Sequence, residues 1–219
     1  MTADGAAALM KMDPYKKVAK LYDRLFEPLN SGLRAIGMKM YPPREGMTVL
    51  DVGCGTGVHL ERYQRAGCSV FGIDQSPSML EVAEKRLKES ANLQMGDASD
   101  MPYSDGQFDL IIISTVLHEM PGTVRSAVIS ECKRTLDQEG RILLIDFHPG
   151  TIRPMKGWLY KCIISAAEMA AGREHFRNYR DFMKIQGLPG LISAHGLSVD
   201  QEKIVSGGNI ALFLLRRDQ

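Results

Sequence analysis

The chain has 219 residues, enough for one α/β domain with a sizeable core. Its 27 basic and 26 acidic side chains nearly cancel, which argues against broad electrostatic capture of nucleic acid or an anionic membrane. Four separated cysteines (Cys54, Cys68, Cys132, Cys162) make no CxxC pair and no metal-ligand cluster, so reduced thiols and no metal are expected. Residues 1–12 contain Asp4 and Lys11 and lack the apolar core of a signal peptide. No apolar run approaches the roughly 18–20 residues of a spanning helix. A cytoplasmic, soluble protein is expected.

Asp13-Pro14 predicts a helix start, and Val18, Leu21, Tyr22 and Leu25 follow helical spacing as far as Pro28. A second helix is expected from Asn30-Ser31, carrying Leu33, Ile36 and Met40 and stopped by Pro42-Pro43. These two helices form a cap over 13–43. A repeating βα pattern then occupies 47–148. Strands are expected near 47–52, 69–73, 92–95, 108–113 and 142–147, with helices over 58–65, 76–88 and 123–136 and a turn at 137–140. Strands that alternate with helices imply a parallel, doubly wound sheet with right-handed crossovers. After Pro149 the rhythm changes to a Met-, Ala- and Ile-rich stretch and then to mixed aromatics and arginines, expected as a helical lid over 149–195. Residues 197–205 and 209–216, joined by Ser206-Gly207-Gly208, predict a terminal hairpin over 196–219. One domain over 1–219 is expected.

The stretch 49–57 is the strongest signal. Val49, Leu50 and Val52 bracket Asp51, and Gly53, Gly55 and Gly57 follow at intervals of two, with Cys54 and Thr56 between them. A buried strand that breaks into such a turn brings the main chain close to a ligand. The dinucleotide fingerprint G-x-G-x-x-G would place its third glycine at 58, which is Val58. Asp51 at the strand tip would repel a pyrophosphate and hold an ammonium group.

Ligands of open α/β sheets sit beyond the carboxyl ends of the strands. The second strand ends in Asp74, roughly 20 positions after the glycine turn, where an acid commonly binds ribose hydroxyls. The third ends in Gly96-Asp97-Ala98, where a carboxylate can accept from an exocyclic amine. The fourth offers Ser114 and then His118-Glu119, and the fifth offers His148. Amino acid, ribose and adenine together describe an adenosyl-methionine-shaped ligand. Plainer readings stand beside these. Asp74 and Asp97 could be loop carboxylates satisfied by main-chain amides, and Cys54 a small buried residue of the turn. His118 could pack locally, His148 could belong to a Pro-Gly turn, and Glu119 could be a solvated first-turn acid.

The ordered motifs D-V-G-C-G-T-G, G-I-D-Q-S, G-D-A-S-D-M-P-Y and F-D-L-I-I-I-S-T-V-L-H-E-M resemble those of class I S-adenosylmethionine-dependent methyltransferases, over residues 47–148. Tyr22-Asp23 and the stretch 206–212 are similar, more weakly, to the ubiquinone/menaquinone C-methyltransferase branch, and bacterial phospholipid N-methyltransferases share a similar opening. The resemblance implies a Rossmann-like seven-stranded sheet whose last strand runs antiparallel. It implies that residues 51–57 wrap the methionine part of S-adenosyl-L-methionine, with Asp51 on its ammonium and Thr56 adding a hydroxyl. It further implies Asp74 and Gln75 at the ribose, Met79 against the adenine, Asp97 and the Ala98 amide on the adenine edge, Ser114 near the methionine, and Tyr22 closing from the N-terminal side.

Methyl transfer mainly requires alignment of donor and acceptor, worth roughly 7–11 kcal/mol. A base is needed only where the acceptor must lose a proton, and His118 and His148 are the candidates. The acceptor is expected to be small or lipid-like: a quinol or phenol carbon or oxygen, or an amine. The segment 155–164 is expected as core or lid in preference to a membrane-surface contact, and a homodimer contact is a further use for it. Residues 175–180, in a helix above the site, either orient an aromatic or anionic acceptor or make ordinary surface ion pairs. Two alternative functions are a non-catalytic cofactor-binding subunit and a nicotinamide-dependent oxidoreductase, which Asp51 and the early third glycine disfavour.

Overall fold

A computed structural model describes residues 13, 15, 16 and 19–218. Its centre is one seven-stranded sheet in the order β3-β2-β1-β4-β5-β7-β6. The strands are β1 Thr48–Val52, β2 Ser69–Asp74, β3 Ala91–Met95, β4 Phe108–Ser114, β5 Leu136–Phe147, β6 Leu197–Val205 and β7 Ile210–Arg217. The pairs β1/β2, β2/β3, β1/β4 and β4/β5 are parallel, while β7 runs antiparallel to both β5 and β6. The expected doubly wound sheet with a reversed last strand is therefore present. Strand order reverses between β1 and β4, which places a ligand site at their carboxyl ends.

Side-chain alternation explains how both faces are covered. Leu50, Val52, Ile111 and Ile113 pack with residues of helices α4 (Gly122–Thr135), α6 (Arg173–Lys184) and α7 (Gly187–Ala194). Val49, Leu110 and Ile112 point the other way, toward α1 (Ala19–Met40), α2 (Val58–Gln64) and α3 (Pro77–Leu87). Residues 110–113 of β4 are fully buried, as a continuous apolar run in a central parallel strand should be. Asp51 shares the face of Val49, so its carboxylate meets the α1–α2 side.

Three expectations are corrected. The two cap helices are one: α1 runs unbroken through Pro28, and Asn30-Ser31 lies inside it. Proline removes one backbone bond there, but packing outweighs the loss. Leu33 and Gly37 are buried, and a Cβ on Gly37 would stand 2.7 Å from Leu143 Cδ2 of β5. Residues 1–12, Pro14, Val18 and the side chain of Leu25 lie outside the described residues. Second, the expected turn at 137–140 lies within β5. Phe108 pairs with Leu136 and Leu110 with Arg141, so the four turn residues bulge out of register. Third, of the core and lid readings of 155–164, core does not hold for helix α5 (Lys156–Ala170). Trp158, Leu159 and Ile163 are all more than half exposed. Among the described residues, no helix is long and apolar enough to cross a membrane.

Candidate active site

The glycine turn has the geometry its sequence demands. Gly53, Gly55 and Gly57 take φ of +72°, +53° and +74°, values that suit glycine. The Gly53 and Cys54 amides donate to the Ile73 carbonyl at 2.8 and 3.2 Å, which locks the turn onto β2. A Cβ on Gly57 would crowd Leu87 at 2.9 Å, whereas one on Gly55 would meet nothing within 4 Å. Gly55 therefore lines open space, and the other two glycines serve close packing. Gly55→Ala is expected to cost about 1 kcal/mol of stability and to weaken S-adenosylhomocysteine binding about tenfold or more, read by calorimetry.

Asp51 is buried, and its Oδ1 has no hydrogen-bond partner. Burial pushes its carboxyl up to about 8; the nearby Arg34 guanidinium opposes the shift and Asp74 adds to it. An orphaned acid beside an open glycine cradle fits a ligand that brings its own ammonium group.

Asp74 accepts from the Gly55 amide (2.8 Å) and the Ser76 amide (2.8 Å). The plainer reading, a carboxylate satisfied by the main chain, thus holds in part. The Gln75 amide adds to these, the carboxylate keeps capacity for a hydroxyl, and burial raises its pKa. Ser76 caps α3 through Met79 N at 3.1 Å, so Met79 is buried at the first turn, and Gln75 is exposed. Asp97 is exposed and accepts from Ser99 N at 2.9 Å, with Ala98 buried next to it. Gly96 follows β3, its amide donating to the Asp74 carbonyl, and Ser114 ends β4. Cys54 is buried against Gly72 of β2. Thr56 donates its hydroxyl to Asp23, which also pairs with Arg86; this ties α1 to the turn.

Sequence reasoning missed the segment that crosses this space. Asp13 accepts from Ser76 Oγ (2.9 Å) and Ser78 N (3.0 Å), beside Asp74. Two residues later, the Tyr15 hydroxyl donates to Glu119 Oε2 at 3.0 Å, beyond the end of β4. The Tyr15 and Tyr22 rings meet edge to face at 6.0 Å. Burial raises the Tyr22 pKa to about 12, with the Glu119 carboxylate next and Asp74 adding to it. Tyr22 thus lies near both Glu119 and Asp74.

His118 sits in a single 3-10 turn (Leu117–Glu119) and is buried. Its Nδ1 lies 2.7 Å from Asp146 Oδ1, and its Nε2 lies 3.5 Å from Glu168 Oε1 and 3.9 Å from Glu119 Oε1. Burial alone would lower its pKa, but Asp146, with Glu119 and Glu168 adding to it, lifts it to about 9. His118 is therefore walled in by carboxylates. Glu119 is no solvated first-turn acid: burial raises its pKa against the pull of His118 and His175. His148 stands apart from this cluster. Its Nδ1 accepts from Gly150 N at 3.0 Å, and it lines a cavity of about 240 Å³ with Phe147, Ile152, Ile164, Tyr179 and Met183. Asp146 carried an overlooked signal, a lone acid in the apolar run 142–147.

The seven-stranded order with its reversed last strand is the Rossmann-like fold of class I S-adenosylmethionine-dependent methyltransferases. Residues 50–144 match the Methyltransferase domain family. The expected resemblance is borne out. The chain is 30% identical over 152 residues to a demethylmenaquinone methyltransferase of Thermotoga maritima, covering 67% of this chain and 65% of that protein. It therefore spans just under two thirds of that relative's length. A protein of the same name from Desulfitobacterium hafniense is 26% identical over 221 residues, covering 91% and 87% of the two chains. The fold is similar to the Burkholderia thailandensis 1,6-didemethyltoxoflavin-N1-methyltransferase solved with bound 1,6-didemethyltoxoflavin and S-adenosylhomocysteine (TM-score 0.66, 15% identity, coverage 100% and 92%).

Proposed function

We propose that the chain methylates a hydroxylated aromatic acceptor of quinol type, carried on a lipid-like body. The observation that carries this reading is the Tyr15–Glu119 hydrogen bond, which fixes a carboxylate of raised pKa across the site from Asp74. An acceptor that must lose a proton has use for such a group; an unprotonated amine has none. The demethylmenaquinone methyltransferase relatives support the same acceptor class.

S-adenosylmethionine, when bound, supplies an activated methyl group on a sulfonium. The chain's residues divide the remaining work. Asp51 neutralises the amino-acid end, Asp74 accepts from ribose hydroxyls, and the main chain at Gly55 leaves room for the ligand. Tyr15 and Tyr22 exclude water. Glu119 accepts the acceptor's proton, and His118, held by Asp146, sets the charge behind it. In this proposal His148 is a wall of the acceptor cavity and not a proton relay.

The exposed α5 face is the proposed approach for the lipid-like body. Trp158 is 57% exposed, with Lys161 Nζ 5.4 Å from its ring, and Lys161 also lines the cavity. Trp158→Ser should leave stability within about 0.5 kcal/mol, yet raise KM severalfold for a quinol in vesicles and not for a short-chain soluble quinol. Equal KM changes on both would remove α5 from acceptor delivery. A methyl-label screen against quinols, phospholipid amines and small phenols tests the acceptor class. Label in the quinol is expected; label confined to phospholipid amines would overturn the reading.

A further inference from the structure

We propose that His118, Glu168 and His175 bind one divalent transition-metal ion, with Asp146 as the group that orients His118. The inference stands on the geometry of this cluster and does not depend on the quinol reading. The three side chains come from three elements, the 3-10 turn after β4, α5 and α6, and their ligand atoms lie within 4.8 Å of one another. A four-coordinate ion with bonds near 2.0–2.1 Å needs ligand atoms roughly 3.4 Å apart. The 3.5 Å between His118 Nε2 and Glu168 Oε1 already matches.

Glu168 is 7% exposed and turns one oxygen to each ring: Oε2 lies 2.7 Å from His175 Nε2 and Oε1 3.5 Å from His118 Nε2. A buried carboxylate between two imidazoles from different elements is a ligand set already converged on one point. Asp146, Glu119 and Glu168 all face the two imidazoles, so the pocket is lined by groups that can ligate a cation or orient its ligands.

The shell around the cluster is also that of a metal site. Asp146 Oδ1 takes the Nδ1 side of His118 at 2.7 Å, which leaves Nε2 for the ion, the carboxylate–histidine–metal arrangement. Asp146 is itself fixed by the Leu117 amide at 3.0 Å and the Phe147 amide at 2.7 Å. The Phe147 ring lies tilted against the buried His118 ring, with centroids 4.5 Å apart. Two imidazoles and one carboxylate suit zinc, or iron(II), cobalt(II) and manganese(II) with an open position. That open position lies toward Glu119, whose Oε1 is 3.9 Å from His118 Nε2. An acceptor oxygen would bind there; this last step alone rests on the function proposed above.

The test is cobalt(II) titration of the untagged, chelator-treated full chain, followed by visible d–d absorption. One equivalent of cobalt(II) is expected, displaced by zinc(II). Glu168→Gln and His175→Ala should each weaken binding by about 100-fold or more, and Asp146→Asn by about 10–100-fold. His148→Ala should leave it unchanged. The thermal shift given by S-adenosylhomocysteine reports that each variant is folded and keeps its donor site. No cobalt band, or a band that Glu168→Gln and His175→Ala both preserve, would show an ion-pair network only and overturn the proposal. Failure of the quinol screen leaves this result untouched, and the reverse holds as well.

Discussion

Asp51→Asn should raise the melting temperature of the ligand-free protein at pH 8 by roughly 4–10 °C while weakening S-adenosylhomocysteine roughly 10–100-fold. The two effects have one cause. In the folded chain the carboxyl titrates near 8, against 3.8 as its ordinary value. Between those values the unfolded chain has already lost a proton that the folded chain still holds, so this group makes stability fall as pH rises from about 4 to 8. The full difference is on the order of 5 kcal/mol before local relaxation, which we take to remove about half. An amide stays neutral throughout, so the variant lacks this slope, and its advantage over the wild type should fade toward pH 5. Scanning calorimetry at pH 5, 6.5 and 8 measures it. With the ligand's ammonium in place the carboxylate is matched, and the amide cannot replace it. An Asp51→Asn protein no more stable than wild type at pH 8, with unchanged ligand affinity, would show that Asp51 is an ordinary core residue.

Glu119→Gln should lower kcat on a quinol acceptor by about 10²–10⁴-fold, the usual worth of a positioned general base, with S-adenosylhomocysteine affinity changed less than about threefold. The amide keeps the shape and can still accept the Tyr15 hydroxyl bond of 3.0 Å, so the strap across the site should survive. Loss confined to kcat assigns Glu119 to the chemistry and not to donor binding. Tyr15→Phe separates positioning from proton transfer: it should cost less in kcat and more in donor affinity, because the strap is loosened. Equal kcat for wild type and Glu119→Gln would mean that no proton leaves through this group.

The proposed donor half of the site could be read as a candidate because its signals are local. Asp51, the three glycines and Asp74 lie at fixed offsets around two strand ends, and the βα rhythm sets where those ends meet. The sheet was legible for the same reason, down to the reversed β7. The acceptor half depends on contacts across large separations. Glu168 and His175 reach His118 from the segment after Pro149, where composition gives no periodic signal, and the metal-like cluster has no spacing to read. Asp13 was read only as a cap, because its bond to Ser76 depends on a chain crossing. Pro28 misled by a different route: its local preference to end a helix lost to packing of Leu33 and Gly37 against β5. The composition of α5 misled as well, since Ile163, Met169 and the alanines look like core and yet face outward, while Ile164 alone of its isoleucines turns to the cavity.

The most direct test is a single-turnover experiment with methyl-labelled S-adenosylmethionine bound to excess protein and a reduced, demethylated naphthoquinol added in micelles. The label should move into the quinol in one phase, and Glu119→Gln should slow that phase while binding the donor normally. A wild-type protein that retains S-adenosylmethionine and passes no label to the quinol would contradict the account.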